Sequence, residues 1–251
     1  MRFVLAWLCA SLLDSSAVFA DTAVSASAGE TQLAAAETWT FKLTPSYYGT
    51  THQSDAVDLN LRGNLGPHAV WAGYYRRGGE FEQIRTGYEY TAQIPFGQLV
   101  PSLQLASHGF AGASINAQVG EQNYALLGFG RTNTRDYYNL NFDPNDSVLY
   151  GLGTRVIPKS NVALFTVRDN RLHTGQVVTH LVWRATPDGR QRWTVDLSSK
   201  HGRATVADES VSGMALALTY DYREMFVRLA RDRKVNFTAE DQTRFSLGLR
   251  F

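Results

Sequence analysis

The chain of 251 residues contains a single cysteine, Cys9. Without a second thiol, neither a disulfide framework nor a cysteine-rich metal centre can form. An excess of charge of either sign is missing too. Lys+Arg number 24 against 23 Asp+Glu, a formal net charge of +1, so global charge argues for no nucleic-acid partner. Beyond the first twenty residues, no apolar run is long enough to cross a bilayer as a helix. No glycine-rich loop sits between a strand and a helix, and Gly128-Phe129-Gly130 reads as strand packing rather than a phosphate cradle. No spacing of His, Asp and Glu marks a metal site. FDPND, with Asp143, Asn145 and Asp146, has oxygen ligands for calcium but reads better as an Asx-type turn. No cofactor is implied.

What is present begins with MRFVLAWLCASLLDSSAVFA. Arg2 precedes an apolar run from Phe3 to Leu13, and Val18-Phe19-Ala20 is a small-residue cleavage pattern. Residues 1–20 are expected to be a secretory signal peptide, with the mature chain starting at Asp21. The run is too short for an anchor, and Asp14 breaks it. Cys9 would leave with this segment. Removing Arg2 and Asp14 leaves 23 basic against 22 acidic residues, again +1. Residues 21–37 are small and polar, and are read as a flexible periplasmic leader.

From Trp39 onward the dominant signal is alternation of apolar and polar residues at period two, the pattern of a strand with one face in each environment. Val57, Leu59 and Leu61 alternate with Asp58, Asn60 and Arg62. Ile84, Thr86, Tyr88 and Tyr90 alternate with Arg85, Gly87 and Glu89. Leu181 and Trp183 oppose His180 and Arg184, and Trp193, Val195 and Leu197 oppose Arg192, Thr194 and Asp196. Met214, Leu216 and Leu218 form one face of a further strand, and Met225, Val227 and Leu229 that of the next. A soluble sandwich would bury the apolar face; a membrane barrel points it at lipid. Mid-strand charges on the polar face favour the barrel. So do the aromatics assigned to the apolar face, Trp39, Trp71, Tyr88, Tyr90, Trp183, Trp193 and Tyr220, which suit interfacial girdles.

The final segment, RFSLGLRF, alternates Phe245, Leu247, Leu249 and Phe251 with polar or small residues. In this it resembles the closing strand of bacterial outer-membrane β-barrel proteins. The resemblance implies an all-β, single antiparallel up-and-down barrel over residues 38–251, in the bacterial outer membrane. It also implies contact with outer-membrane lipid, and a terminal strand read by the barrel-assembly machinery. Turn signals at 63–67, 94–97, 157–160, 186–189 and 221–223, with one more near Glu121, are assigned to the periplasm. Those at 50–55, 76–80, 133–146, 169–173, 201–209 and 234–241 are assigned outside. The count is 14 strands, with 12 as the alternative because 106–146 is hard to parse. No plug and no long constricting loop is expected.

The polar face carries more base than acid. Lys42, Arg62, Arg85, Arg155, Arg184, Arg192, Arg228 and Arg244 face Glu89 and Asp196 among others, while many acids fall in the loops. A basic lumen favours anions. The leading expectation is a small passive channel for anionic or sugar-like solutes, with those ten residues setting selectivity. One alternative is a closed barrel filled by paired charges, binding a partner in the cell envelope, with Tyr137 and Tyr138 as an exposed saccharide contact or an outer girdle. Another is an outer-membrane lipid hydrolase using Ser107-His108 or His180, with His173 and His201 near outer loops, although nothing in the sequence brings a triad together.

Overall fold

The computed structural model describes residues 38–135, 137–138, 146–169 and 171–251. The expected signal peptide and leader lie outside the described residues. Fourteen strands follow one another: β1 (Thr40–Thr50), β2 (Ala56–Leu65), β3 (His68–Arg77), β4 (Phe81–Tyr90, continued by Ala92–Ile94), β5 (Gly97–Ala106), β6 (Phe110–Val119) and β7 (Asn123–Thr132), then β8 (Ser147–Thr154), β9 (Ser160–Asp169), β10 (Gln176–Asp188), β11 (Gln191–Gly202), β12 (Val211–Tyr222), β13 (Met225–Asp232) and β14 (Gln242–Arg250). Each pairs antiparallel with the next, and β14 pairs with β1 through partners such as Leu43 with Leu249 and Tyr48 with Arg244. The ring is therefore closed, with no free edge.

The alternating pattern maps onto two walls. Ile84, Leu103, Leu152, Leu229 and Phe245 are exposed on the outside, while Arg62, Arg85, Glu89, His180 and Asp196 are buried inside. An exposed apolar outer wall is stable against lipid, where every backbone group must already be paired. Ring contacts mark one rim of that wall: Trp39 stacks on Phe41 and Phe41 on Phe251, each at 5.8 Å, and Trp193 meets Tyr220 at a tilt at 4.3 Å.

The rim that holds Thr40 and Arg250 carries the tight turns, including Gly66-Pro67, Pro95-Phe96, Gly189-Arg190 and Arg223-Glu224. The opposite rim carries the longer connections, 133–146 and 233–241 among them. Short turns face the periplasm in this class of barrel, so the first rim is periplasmic and the second is outer. The stretch that resisted parsing contains the turn Ser107–Gly109, where His108 takes a positive φ of 67°, followed by β6 and β7. That settles the count at 14.

Trp71 corrects the reading of the apolar face. It shares parity with Ala69, Gly73, Tyr75 and Arg77 and is 9% exposed, inside the barrel. Its ring lies over Gly87, its cross-strand partner, where a Cβ would collide with it. The arrangement recurs: Tyr124 lies over Gly153 and Phe226 over Gly248, each a registered pair. A ring covering the bare backbone of a partner glycine lies along the wall instead of projecting across the bore.

Candidate functional site

The inner wall differs between its two ends. Towards the outer rim, Arg85 is paired with Asp58, both side chains 2% exposed, and Lys200 is paired with Asp232. Tyr48, Tyr75 and Tyr138 form an aromatic cluster. Tyr138 belongs to the connection between β7 and β8, half the ring away from β1. It nonetheless stacks on Tyr75 at 3.6 Å and meets Tyr48 edge-on at 6.4 Å. Its hydroxyl accepts from Arg77 Nη2 at 3.1 Å and from Gln242 Nε2 at 3.0 Å, and its N–H donates to Gln83 Oε1 at 2.8 Å. The chain thus crosses the bore at Tyr138. Tyr137 stacks on Phe110 at 4.2 Å.

Both tyrosines are buried, at 7% and 2% exposure, which corrects two expectations. They are neither an exposed contact nor a girdle: Tyr138 packs inside the barrel against Tyr48 and Tyr75. Sequence pattern missed this because a loop tyrosine has no periodicity to reveal its direction. Asp143 and Asn145 of the FDPND stretch lie outside the described residues. Asp146 is held as an anchor: it accepts from Thr132 N–H at 2.8 Å and from Arg171 Nη1 at 2.5 Å.

Towards the periplasmic rim the balance of charge changes. One cavity is bordered by six cations, Lys42, Arg184, Arg192, Arg228, Arg244 and Arg250, and by two carboxylates, Asp196 and Asp221. Asp221 receives Arg192 Nη2 at 3.1 Å and also Arg250. Asp196 accepts from His180 Nδ1 at 2.9 Å, and the His180 ring stacks on Phe165 at 4.8 Å. Arg228 Nε donates to Thr219 Oγ1 at 3.0 Å. On the other side of the bore, Arg62 grips Glu89 with two bonds, at 2.6 and 3.3 Å.

The ten expected lumen residues therefore separate. Lys42, Arg184, Arg192, Asp196, Arg228 and Arg244 meet around one cavity. Arg62 with Glu89, and Arg85 with Asp58, are pairs that bridge β2 and β4 over β3 along one wall. Arg155 lies in the turn after β8, where it donates to Glu121 O at 2.8 Å and covers the Tyr124 ring at 4.6 Å, so it belongs to the periplasmic mouth rather than to mid-lumen. Asp221 had been read as part of a turn; β12 runs on to Tyr222, which puts it on the inner wall. Of the residues weighed for hydrolysis, Ser107 and His108 sit in an outer turn, where Ser107 Oγ accepts the Ile84 N–H at 3.1 Å. His201 meets Ser212 at 3.0 Å on the exposed outer side.

No protein-family model matches the chain, and no curated protein matches it. Among solved structures it is similar to the Acinetobacter baumannii outer membrane protein Omp33, with a TM-score of 0.59 and 7% identity over 86% of this chain and 100% of that one. It also matches the NanC porin, at a TM-score of 0.47 and 8% identity over 83% and 98% of the two chains, and Salmonella typhi OmpF, at 0.47 and 10% over 86% and 98%. The fold is that of the bacterial outer-membrane β-barrels. The apolar outer wall places the barrel in that membrane.

Proposed function

We propose that the barrel is a narrow passive channel that favours small anionic or sugar-like solutes. The observation that carries this reading is the periplasmic-side cavity, whose lining holds six cations and two carboxylates. In a water-filled tube walled by protein, field lines are focused along the bore, so an excess of fixed positive charge raises the local concentration of anions. Arginine forks also match carboxylate and phosphate oxygens geometrically. Arg184, Arg192 and Arg228 are the residues assigned to selectivity; Arg62 and Arg85 are assigned to holding the wall. The outward row Phe245, Leu247, Leu249 and Phe251 is assigned to lipid contact and to recognition by the barrel-assembly machinery.

Single-channel conductance of the refolded barrel under a salt gradient tests the reading. Steady steps with an anion-selective reversal potential support it, and Arg184→Glu with Arg228→Glu should move that potential towards cations. A silent bilayer from protein shown folded by its heat-modifiable migration would remove the channel. It would favour the second reading, a closed barrel that meets an envelope partner through its outer loops. The specific observation behind that reading is Tyr138 seated across the bore.

A further inference from the structure

One sector of the inner wall is apolar, contrary to the polar interior expected of a water-filled barrel. Tyr124, Leu126, Leu149, Phe165, Val167 and Val182 are 0–8% exposed and form one contiguous cluster on β7 to β10. They do not close completely on one another. A recess of about 50 Å³ opens among Tyr124, Leu126, Leu149 and Phe165, room on the order of four waters. Its polar fittings are few: Asn116, Asn161, whose Oδ1 accepts from the Tyr124 hydroxyl at 2.5 Å, and Arg184 at one edge. Val182 and Arg184 border both this recess and the cation-rich cavity. An apolar compartment thus shares a boundary with a basic one, and a guanidinium marks the boundary.

We infer that the lumen selects carboxylates with a short apolar body over equally charged hydrophilic ones. The carboxylate would sit at Arg184 and Arg228, and the hydrocarbon would lie against Leu126, Leu149 and Phe165. Charge alone draws every anion to the basic wall. Only a solute with apolar carbon gains by shedding water in the recess, where each buried methylene contributes favourably. A sugar acid of the same length would bury hydroxyls against leucines with few partners to bond them. This assignment deepens the channel reading and rests on it.

Hexanoate and gluconate test it, being monocarboxylates of six carbons that differ in the polarity of the body; acetate controls for size. Reversal potentials of the refolded barrel are measured at pH 8 with chloride on one side and each carboxylate in turn on the other. Hexanoate should be more permeant than gluconate by at least about fourfold, the preference one buried methylene confers, and no less permeant than the smaller acetate. Leu149→Asn and Leu126→Asn, each checked for heat-modifiable migration, should pull the hexanoate-to-gluconate ratio towards one. A barrel that conducts chloride but passes hexanoate no better than gluconate overturns the inference and leaves the channel standing. A folded barrel that conducts nothing removes the channel. Calorimetric titration of hexanoate into the detergent-solubilised barrel then decides the site: saturable binding weakened by Arg184→Gln keeps it, and no heat beyond dilution sinks it.

Discussion

In the outer half of the lumen Arg85 meets Asp58 and Lys200 meets Asp232, cation to carboxylate, one to one. In the periplasmic half, on the side formed by β10 to β14 and β1, one cavity is lined by six cations and two carboxylates. Both halves are built from the same residue types on the same alternating strands. The difference lies in stoichiometry. Where a buried cation meets a buried carboxylate, as Arg85 meets Asp58, the pair braces the wall. Where cations outnumber carboxylates along the lining, the wall carries a net positive field that favours an anion. On the channel proposed above, the first arrangement braces the wall and the second receives the solute.

The contrast can be broken most directly by removing one cation from each half. Arg85→Ala should destabilise the refolded barrel by about 3–5 kcal/mol, because Asp58 is left charged and buried. Arg228→Gln should lower stability by less, about 1 kcal/mol, since it gives up the hydrogen bond to Thr219 without leaving a buried ion-pair partner of the Arg85–Asp58 kind. The midpoints of urea unfolding, read from heat-modifiable migration in detergent, check both. Equal losses would erase the distinction between bracing and selecting charges.

Tyr138→Ala sharpens the comparison by opening the filled half alone. Conductance should rise at least about twofold while the reversal potential keeps its sign, because the constriction is removed and the basic cavity is not. An unchanged conductance would place the resistance elsewhere.

The smallest expected effect concerns pH. The Thr51 hydroxyl donates to Glu240 at 2.6 Å, and His52 Nδ1 lies 3.1 Å from the same carboxylate; these hold it below the usual range. The Lys234 N–H, 3.1 Å from Asp241, does the same there. A depressed carboxyl stabilises the folded connection above its unfolded pKa, about 4, and the contribution fades as pH falls through the lower folded value. Proteolysis at 233–241 should therefore quicken below about pH 4.

The barrel was legible wherever its two walls differ in polarity. Leu59, Ile84, Leu218 and Leu229 announce lipid, and Arg62, Arg85 and Asp196 announce the interior, so period two suffices. It failed around 106–146 for a physical reason. On β7 both parities are apolar, with Tyr124 and Leu126 inside and Leu127 and Phe129 outside, so alternation disappears where the inner wall turns hydrophobic. The stretch that could not be parsed thus leads into the sector that carries the apolar recess. Tyr138 was illegible because its role depends on which wall it reaches, a tertiary fact, and Trp71 because its place depends on Gly87 in the next strand.

Those ring-on-glycine pairs also bear on how the strands find each other. A one-residue slip between neighbours exchanges the lipid and lumen faces and is rejected by hydrophobicity alone. A two-residue slip keeps every apolar side chain outside, so polarity is blind to it. Trp71 would then meet Arg85 or Glu89 in place of Gly87, and Phe226 would meet Ser246 or Arg250 in place of Gly248. The bare glycines act as alignment notches, detecting by shape the one error that amphipathicity tolerates.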